Sequence, residues 1–147
     1  MNLLDVNLLV ALCDADHVHH GSAARWFRAH RAEGWATCPL TENGLLRVMG
    51  HQRYPAGPGS PEAVRPLLQS LRSTPGHVFW EDNLSIADSR TFPSLGGVTS
   101  KQLTDLYLLA LCVAKGGSLA TLDTRIDPSP IPGGNRALVT IPEEVGL

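Results

Sequence analysis

Five short apolar segments recur along this chain with helix-patterned stretches between them, and that rhythm narrows the fold more than any other feature. The segments are residues 2–6 (Asn-Leu-Leu-Asp-Val), 35–39 (Trp-Ala-Thr-Cys-Pro), 77–81 (His-Val-Phe-Trp-Glu), 118–122 (Ser-Leu-Ala-Thr-Leu) and 138–141 (Leu-Val-Thr-Ile). Several are too apolar for a half-exposed strand, as expected where helices cover both faces of a parallel sheet. The alternation predicts an α/β three-layer sandwich with a five-stranded parallel sheet. With 147 residues, 43% of them hydrophobic, the chain suits a single domain, 1–147, with a sizeable core.

Residues 20–32 place Ala23, Trp26, Phe27 and His30 on one helical face, with Arg25, Arg28 and Arg31 away from it. A helix over 41–51 groups Leu45, Val48 and Met49, with Thr41 as its expected N-cap. Ser60-Pro61 opens a helix over 61–73, in which Pro66 predicts a kink or a later start. A short helix is expected over 84–91. The stretch 100–115 is apolar almost all round, predicting a centrally buried helix stopped by Gly116-Gly117. Residues 54–61 and 127–135 read as loops.

Against this background four isolated acidic residues stand out, each beside an apolar run: Asp5, Glu42, Asp105 and Asp123. Carboxylates are costly to bury without a partner. Asp5 and Asp123 end strands, Glu42 opens the helix after the second strand, and Asp105 lies early in the most apolar helix. In open α/β sheets ligands bind beyond the carboxyl ends of the strands, where the strand order reverses. An order of 3-2-1-4-5 would set the first and fourth strands beside that crevice, and a hard divalent cation is its natural occupant. Mg²⁺ keeps several waters and takes one or two carboxylates. Four acids therefore exceed one ion's needs, so some act through water, hold a second ion, or position the nucleophile.

Other features exclude function classes. The net charge of −2 gives no global field for nucleic acid, so phosphate binding must come from a local feature. No apolar run reaches the roughly 18 residues of a membrane span, and a signal-peptide pattern is absent from the N-terminus; a cytoplasmic protein with no membrane association is expected. Cys13, Cys38 and Cys112 are expected as free thiols. His17, His19 and His20 with Cys13 match no standard zinc spacing. Arg25, Arg28 and Arg31 read as a solvated stripe, and Arg47 is within reach of the crevice rim.

Leu-Leu-Asp-Val-Asn-Leu-Leu-Val-Ala-Leu at the start, His17-x-x-His20-x-x-Ala23-Ala24-x-Trp26, Thr41-Glu42-Asn43-Gly44, Leu103-Thr104-Asp105-Leu106-Tyr107-Leu108-Leu109-Ala110 and Ala120-Thr121-Leu122-Asp123 resemble, in order, the motifs of a PIN domain. The nearest branch is the VapC-type toxins of bacterial toxin–antitoxin pairs, and the resemblance spans nearly the whole chain. It implies the 3-2-1-4-5 sheet, Mg²⁺ or Mn²⁺, and endoribonuclease activity. It makes Asp5, Glu42, Asp105 and Asp123 the catalytic acids. Asp5 and Asp105 are read as holding the main metal, with Glu42 and Asp123 acting through water or a second ion. Asn7, Thr41 and Thr104 fall beside them, and Asp127 is either a supporting acid or a loop turn. The implied substrate is a structured transfer or ribosomal RNA. The implied partners are a VapB-like antitoxin and a second copy of the chain. Two alternatives stay open: a housekeeping RNA-processing nuclease of the same fold, and a Mg²⁺-binding interaction module without catalysis.

Overall fold

Leu3 and Leu4 are adjacent in sequence and buried in different cores, because successive strand residues point to opposite faces of a sheet. The computed structural model describes residues 1–143, so the last four residues of the expected 1–147 unit lie outside the described residues. Its strands are β1 (Asn2–Leu4), β2 (Trp35–Thr37), β3 (His77–Phe79), β4 (Ser118–Thr121) and β5 (Leu138–Thr140). All four pairings are parallel, in the order β3-β2-β1-β4-β5, as expected. The central β1 and its neighbour β2 are buried throughout, whereas the edge strands β3 and β5 are partly exposed.

The helices are α1 (Val6–Cys13), α2 (His20–His30), α3 (Pro39–Met49), α4 (Pro61–Arg72), α5 (Leu103–Lys115) and α6 (Gly134–Ala137). One core joins Leu3, Leu119 and Trp80 to Leu106 and Leu108–Cys112 of α5. The other joins Leu4, Ala120 and Trp35 to Leu8, Leu9, Phe27, Leu45 and Val64 of α1–α4. Helices thus cover both faces of the sheet. Gly116 ends α5 in the left-handed region at φ 70°, where a side chain would strain the backbone. Gly44 lets α3 close on α1, since a Cβ there would collide with the Val6 side chain.

Three sequence expectations are corrected. No helix forms over 84–91: Ser85 Oγ accepts the Ala87 N–H and Asp88 Oδ1 accepts the Arg90 N–H, and such local bonds compete with a helix. Thr41 is not the N-cap of α3. The helix starts earlier, with Cys38 as cap and Pro39 as first residue, and Thr41 Oγ1 accepts the Cys38 N–H at 3.0 Å. Helix α5 is not buried all round either, because Leu103 and Val113 are each 36% exposed. Ser60 caps α4 as expected, and the helix runs on past the exposed Pro66. Helix α1 was hidden in the sequence. Its residues are apolar except for Asn7, so they carry no amphipathic period.

Candidate active site

The carboxyl end of β1 fixes the first acid. Asp5 is 5% exposed and caps α1, its Oδ1 accepting the Val6 N–H at 2.8 Å while its own N–H donates to the Ala120 carbonyl at 2.9 Å. Its Oδ2 accepts the Thr121 hydroxyl at 2.8 Å. Burial pushes the Asp5 carboxyl above its ordinary range. The Thr121 and Val6 bonds pull it back down, and the Asp123 charge pushes it up.

Thr121 is a site residue that the sequence reading quoted in a motif but gave no role. It is fully buried at the end of β4. Its single hydroxyl donates to Asp5 and accepts the Asn7 amide at 3.0 Å and the Asp123 N–H at 3.1 Å, which uses its proton and both lone pairs. Asn7 Oδ1 in turn accepts the Leu122 N–H at 3.0 Å. The signal was a polar residue at the end of an apolar strand two positions before an acid. Thr121→Val should cost about 1–3 kcal/mol by stranding buried partners, whereas Thr121→Ser should recover most of it. Urea unfolding of the two variants checks this, and equal loss in both would show that the methyl group matters more than the hydroxyl.

Asp105 is half-buried early in α5 and, among the described residues, has no hydrogen-bond or ion-pair partner. Burial first, then the charges of Asp5 and Asp123, push its carboxyl up to about 6, and Arg125 opposes them. Asp123 Oδ1 accepts the backbone N–H of Arg125 at 2.8 Å and its Nε at 3.2 Å. Asp105 and Asp123 line a cleft of about 560 Å³ with Asp127, Lys101 and Arg125. Asp127 both faces this cleft and makes a loop turn, accepting the Ser129 N–H at 3.0 Å. The loop turn is thus present, and the cleft is also lined by Asp127.

Glu42 departs from the expected single crevice. Its Oε2 accepts the Thr37 hydroxyl at 2.6 Å, its Oε1 lies 3.4 Å from Arg72 Nη1, and it lines a second cleft with Arg47, Arg65 and Arg72. Thr37 has one proton and gives it to Glu42, so His77 Nε2, 2.7 Å from Thr37 Oγ1, must carry the hydrogen and donate. Burial and Arg72 hold His77 below its ordinary pKa, against the pull of Glu42. Among the described residues the buried Thr41 bonds only within its own helix start. Thr104 is exposed and, among the described residues, has no hydrogen bond to any of the acids. His20 Nδ1 sits 2.7 Å from the Ala11 carbonyl, a helix-start contact. The three cysteines are free.

The donor set fits a hard divalent ion. Among the described residues no three Asp, Glu, His or Cys side chains converge as a ready-made cage. Mg²⁺ does not require one, because it takes one or two carboxylates and keeps its waters. Asp5 Oδ1 has a lone pair left beside its bond to Val6, Oδ2 accepts Asn7 Nδ2 only at 3.5 Å beside Thr121, and Asp105 has no hydrogen-bond or ion-pair partner among the described residues. After burial, the Asp123 charge raises Asp5 and the charges of Asp5 and Asp123 raise Asp105, which marks a site short of positive charge.

Comparisons with known proteins show the family. The PIN domain family model matches residues 3–128. Ribonuclease VapC44 of Mycobacterium tuberculosis is 41% identical over 134 residues, covering 91% of this chain and 94% of the relative. Ribonuclease VapC38 of the same organism is 42% identical over 127 residues, covering 86% and 87%. The crystal structure of Mycobacterium tuberculosis VapC20, described as a sarcin–ricin loop cleaving toxin, superposes with a TM-score of 0.64 at 12% identity, over 90% of this chain and 97% of that one. Family match, identity along nearly the whole length, and strand order all converge: this chain belongs to the VapC-type ribonucleases of the PIN-domain family.

Proposed function

We propose that this protein is the toxin of a toxin–antitoxin pair, a Mg²⁺- or Mn²⁺-dependent endoribonuclease that cuts a structured transfer or ribosomal RNA and slows translation. Residues 1–147 act as one PIN domain. The observation that carries the metal reading is Asp105, a half-buried carboxylate without a partner among the described residues, raised first by burial and then by two neighbouring acids. Asp5 and Asp105 would hold the ion, which supplies charge neutralisation at the scissile phosphate and activation of water. The chain's own groups do the rest. Thr121 and the Val6 N–H favour the ionised form of Asp5, and Asn7 ties the start of α1 to the loop after β4. Asp123 and Glu42, on the two sides of Asp5, orient the attacking water or complete a second ion site. In-line attack by water leaves a 5′-phosphate and a 3′-hydroxyl.

The family membership supports a VapB-like antitoxin and a homodimer as the protein's assemblies. An antitoxin Arg or Lys inserted among Asp5, Asp105 and Asp123 would supply the missing positive charge and displace the ion. No helix among the described residues is long and apolar enough to cross a membrane, and free thiols at Cys38 and Cys112 suit a reducing cytoplasm. The test is to incubate the protein with total cellular RNA, with Mg²⁺ or with chelator, and to sequence the new 5′ ends. Discrete 5′-phosphate ends that require the ion are expected. Identical end profiles with and without chelator would refute the metal-dependent reading.

A further inference from the structure

Phe79 closes the edge strand β3 with 43% of its surface exposed, while the other large aromatic side chains are at least partly buried. It is the register partner of Thr37, the residue that holds Glu42, so it stands at the carboxyl end of the sheet beside the acids. The Arg72 guanidinium carbon lies 5.1 Å from its ring centroid. Arg72 also lines the second cleft, about 590 Å³, with Arg47, Arg65 and Glu42. Three arginines against one carboxylate reverse locally the −2 charge of the whole chain. An exposed ring under a guanidinium, next to further exposed arginines, is the chemistry that grips a single-stranded nucleic acid: bases stack on the ring and phosphates take the cations.

We infer that Phe79 and Arg72, with Arg65 and Arg47, form a subsite for an unpaired stretch of the RNA substrate on the β3 side of the acids. The inference rests on the ribonuclease reading above and adds to it where the strand lies. One base stacks on Phe79, and the adjoining phosphates contact the arginines along α3 and α4. A phosphate at Arg72 competes with its 3.4 Å contact to Glu42, leaving Glu42 held by Thr37 alone. Arg72 is therefore a positioning residue as well as a binding one.

Fluorescence anisotropy of the full chain with fluorescein-labelled oligouridylate, in chelator so that metal-dependent cleavage is silent, tests this. Phe79→Ala should weaken binding roughly tenfold and Phe79→Trp should keep it, since base stacking needs a ring. Arg72→Lys should weaken it less than Arg72→Gln, because lysine keeps the charge but loses the planar fork. Arg47→Gln and Arg65→Gln should each lower the slope of log Kd against log salt by roughly 0.7. Melting curves confirm that each variant is folded. Wild-type affinity in Phe79→Ala and Arg72→Gln, or no oligouridylate binding by the wild type, would overturn the subsite. Loss of antitoxin binding with intact RNA binding would overturn it in favour of a protein-docking surface. Parallel cleavage assays with Mg²⁺ separate the two readings. Binding that depends on Phe79 without cleavage removes the nuclease and leaves the subsite, and cleavage with Phe79-independent binding does the reverse.

Discussion

Asp5→Asn should lower single-turnover RNA cleavage by at least about a thousandfold while leaving the fold intact. Asn is as good an N-cap as Asp, so the Val6 N–H keeps its acceptor and α1 its start. The amide nitrogen cannot accept the Thr121 proton as Oδ2 did, so that one bond is lost, but the cost of burying a carboxylate at a 5% exposed position disappears. What goes is the negative charge that would hold the cation in the proposed site. Charge stabilisation by such an ion is worth several kcal/mol in the transition state, which corresponds to about three decades in rate. Cleavage within tenfold of wild type, in a variant that melts at or above the wild-type temperature, would take Asp5 out of the chemistry.

The second large effect is a coupling between metal, pH and stability that centres on Asp105. Binding an ion only in the folded state at ten times its Kd contributes about 1.4 kcal/mol, a rise of about 3–6 °C in melting temperature for a chain of this size. Asp105→Asn should lose most of that rise. In the absence of metal the same variant should be as stable as wild type or more so at neutral pH. Asp105 has its folded pKa raised from 3.8 to about 6. Its protonated form is thus favoured by folding: the stability it contributes is fully present below about 3.8 and is lost as pH rises through about 6. Because the side chain is only half-buried, solvent screening brings this down to about 1–2 kcal/mol. Metal-free wild type should therefore lose stability relative to Asp105→Asn between pH 4 and 6, with the gap constant above that range. Asp5 is raised in the same direction and adds to the slope in both proteins. A flat difference between the two proteins across that window, or an unchanged metal response in Asp105→Asn, would remove Asp105 from the ion's site.

The two effects have one origin. Asp5, Asp105 and Asp123 come from the end of β1, the first turn of α5 and the end of β4, where Asp123 raises the cost of ionising Asp5 and both of them raise that of Asp105. The proposed antitoxin contact draws on the same deficit of positive charge, since a partner's cation and the proposed metal would compete for it.

The chain's order of elements was legible because its strands are short apolar runs and most of its helices carry a 3.6-residue period or a clear cap. Ser60-Pro61 and Gly116 marked helix ends through local backbone chemistry, which acts within a few residues and so is written in them. Helix α1 has too few polar residues to show a period. The stretch 84–91 has helix-compatible residues whose side chains bond their own backbone instead.

The acids were visible for the same local reason: a carboxylate at the end of an apolar run is conspicuous wherever it lies. The sequence alone determined which residues are anomalous, the βαβ rhythm, and through its ordered motifs the family. Only the tertiary structure decided how the acids divide. It joined Asp5 to Asp105 and Asp123, turned Glu42 toward Thr37 and Arg72, and exposed Phe79 beside an arginine-lined cleft. Thr37 and Glu42 are five residues apart, but Arg72 lies thirty residues beyond Glu42 and Thr121 is 116 from Asp5. Contacts at such separations exist only once the parallel strands have paired, because it is the ladder that brings the strand ends to one edge of the sheet.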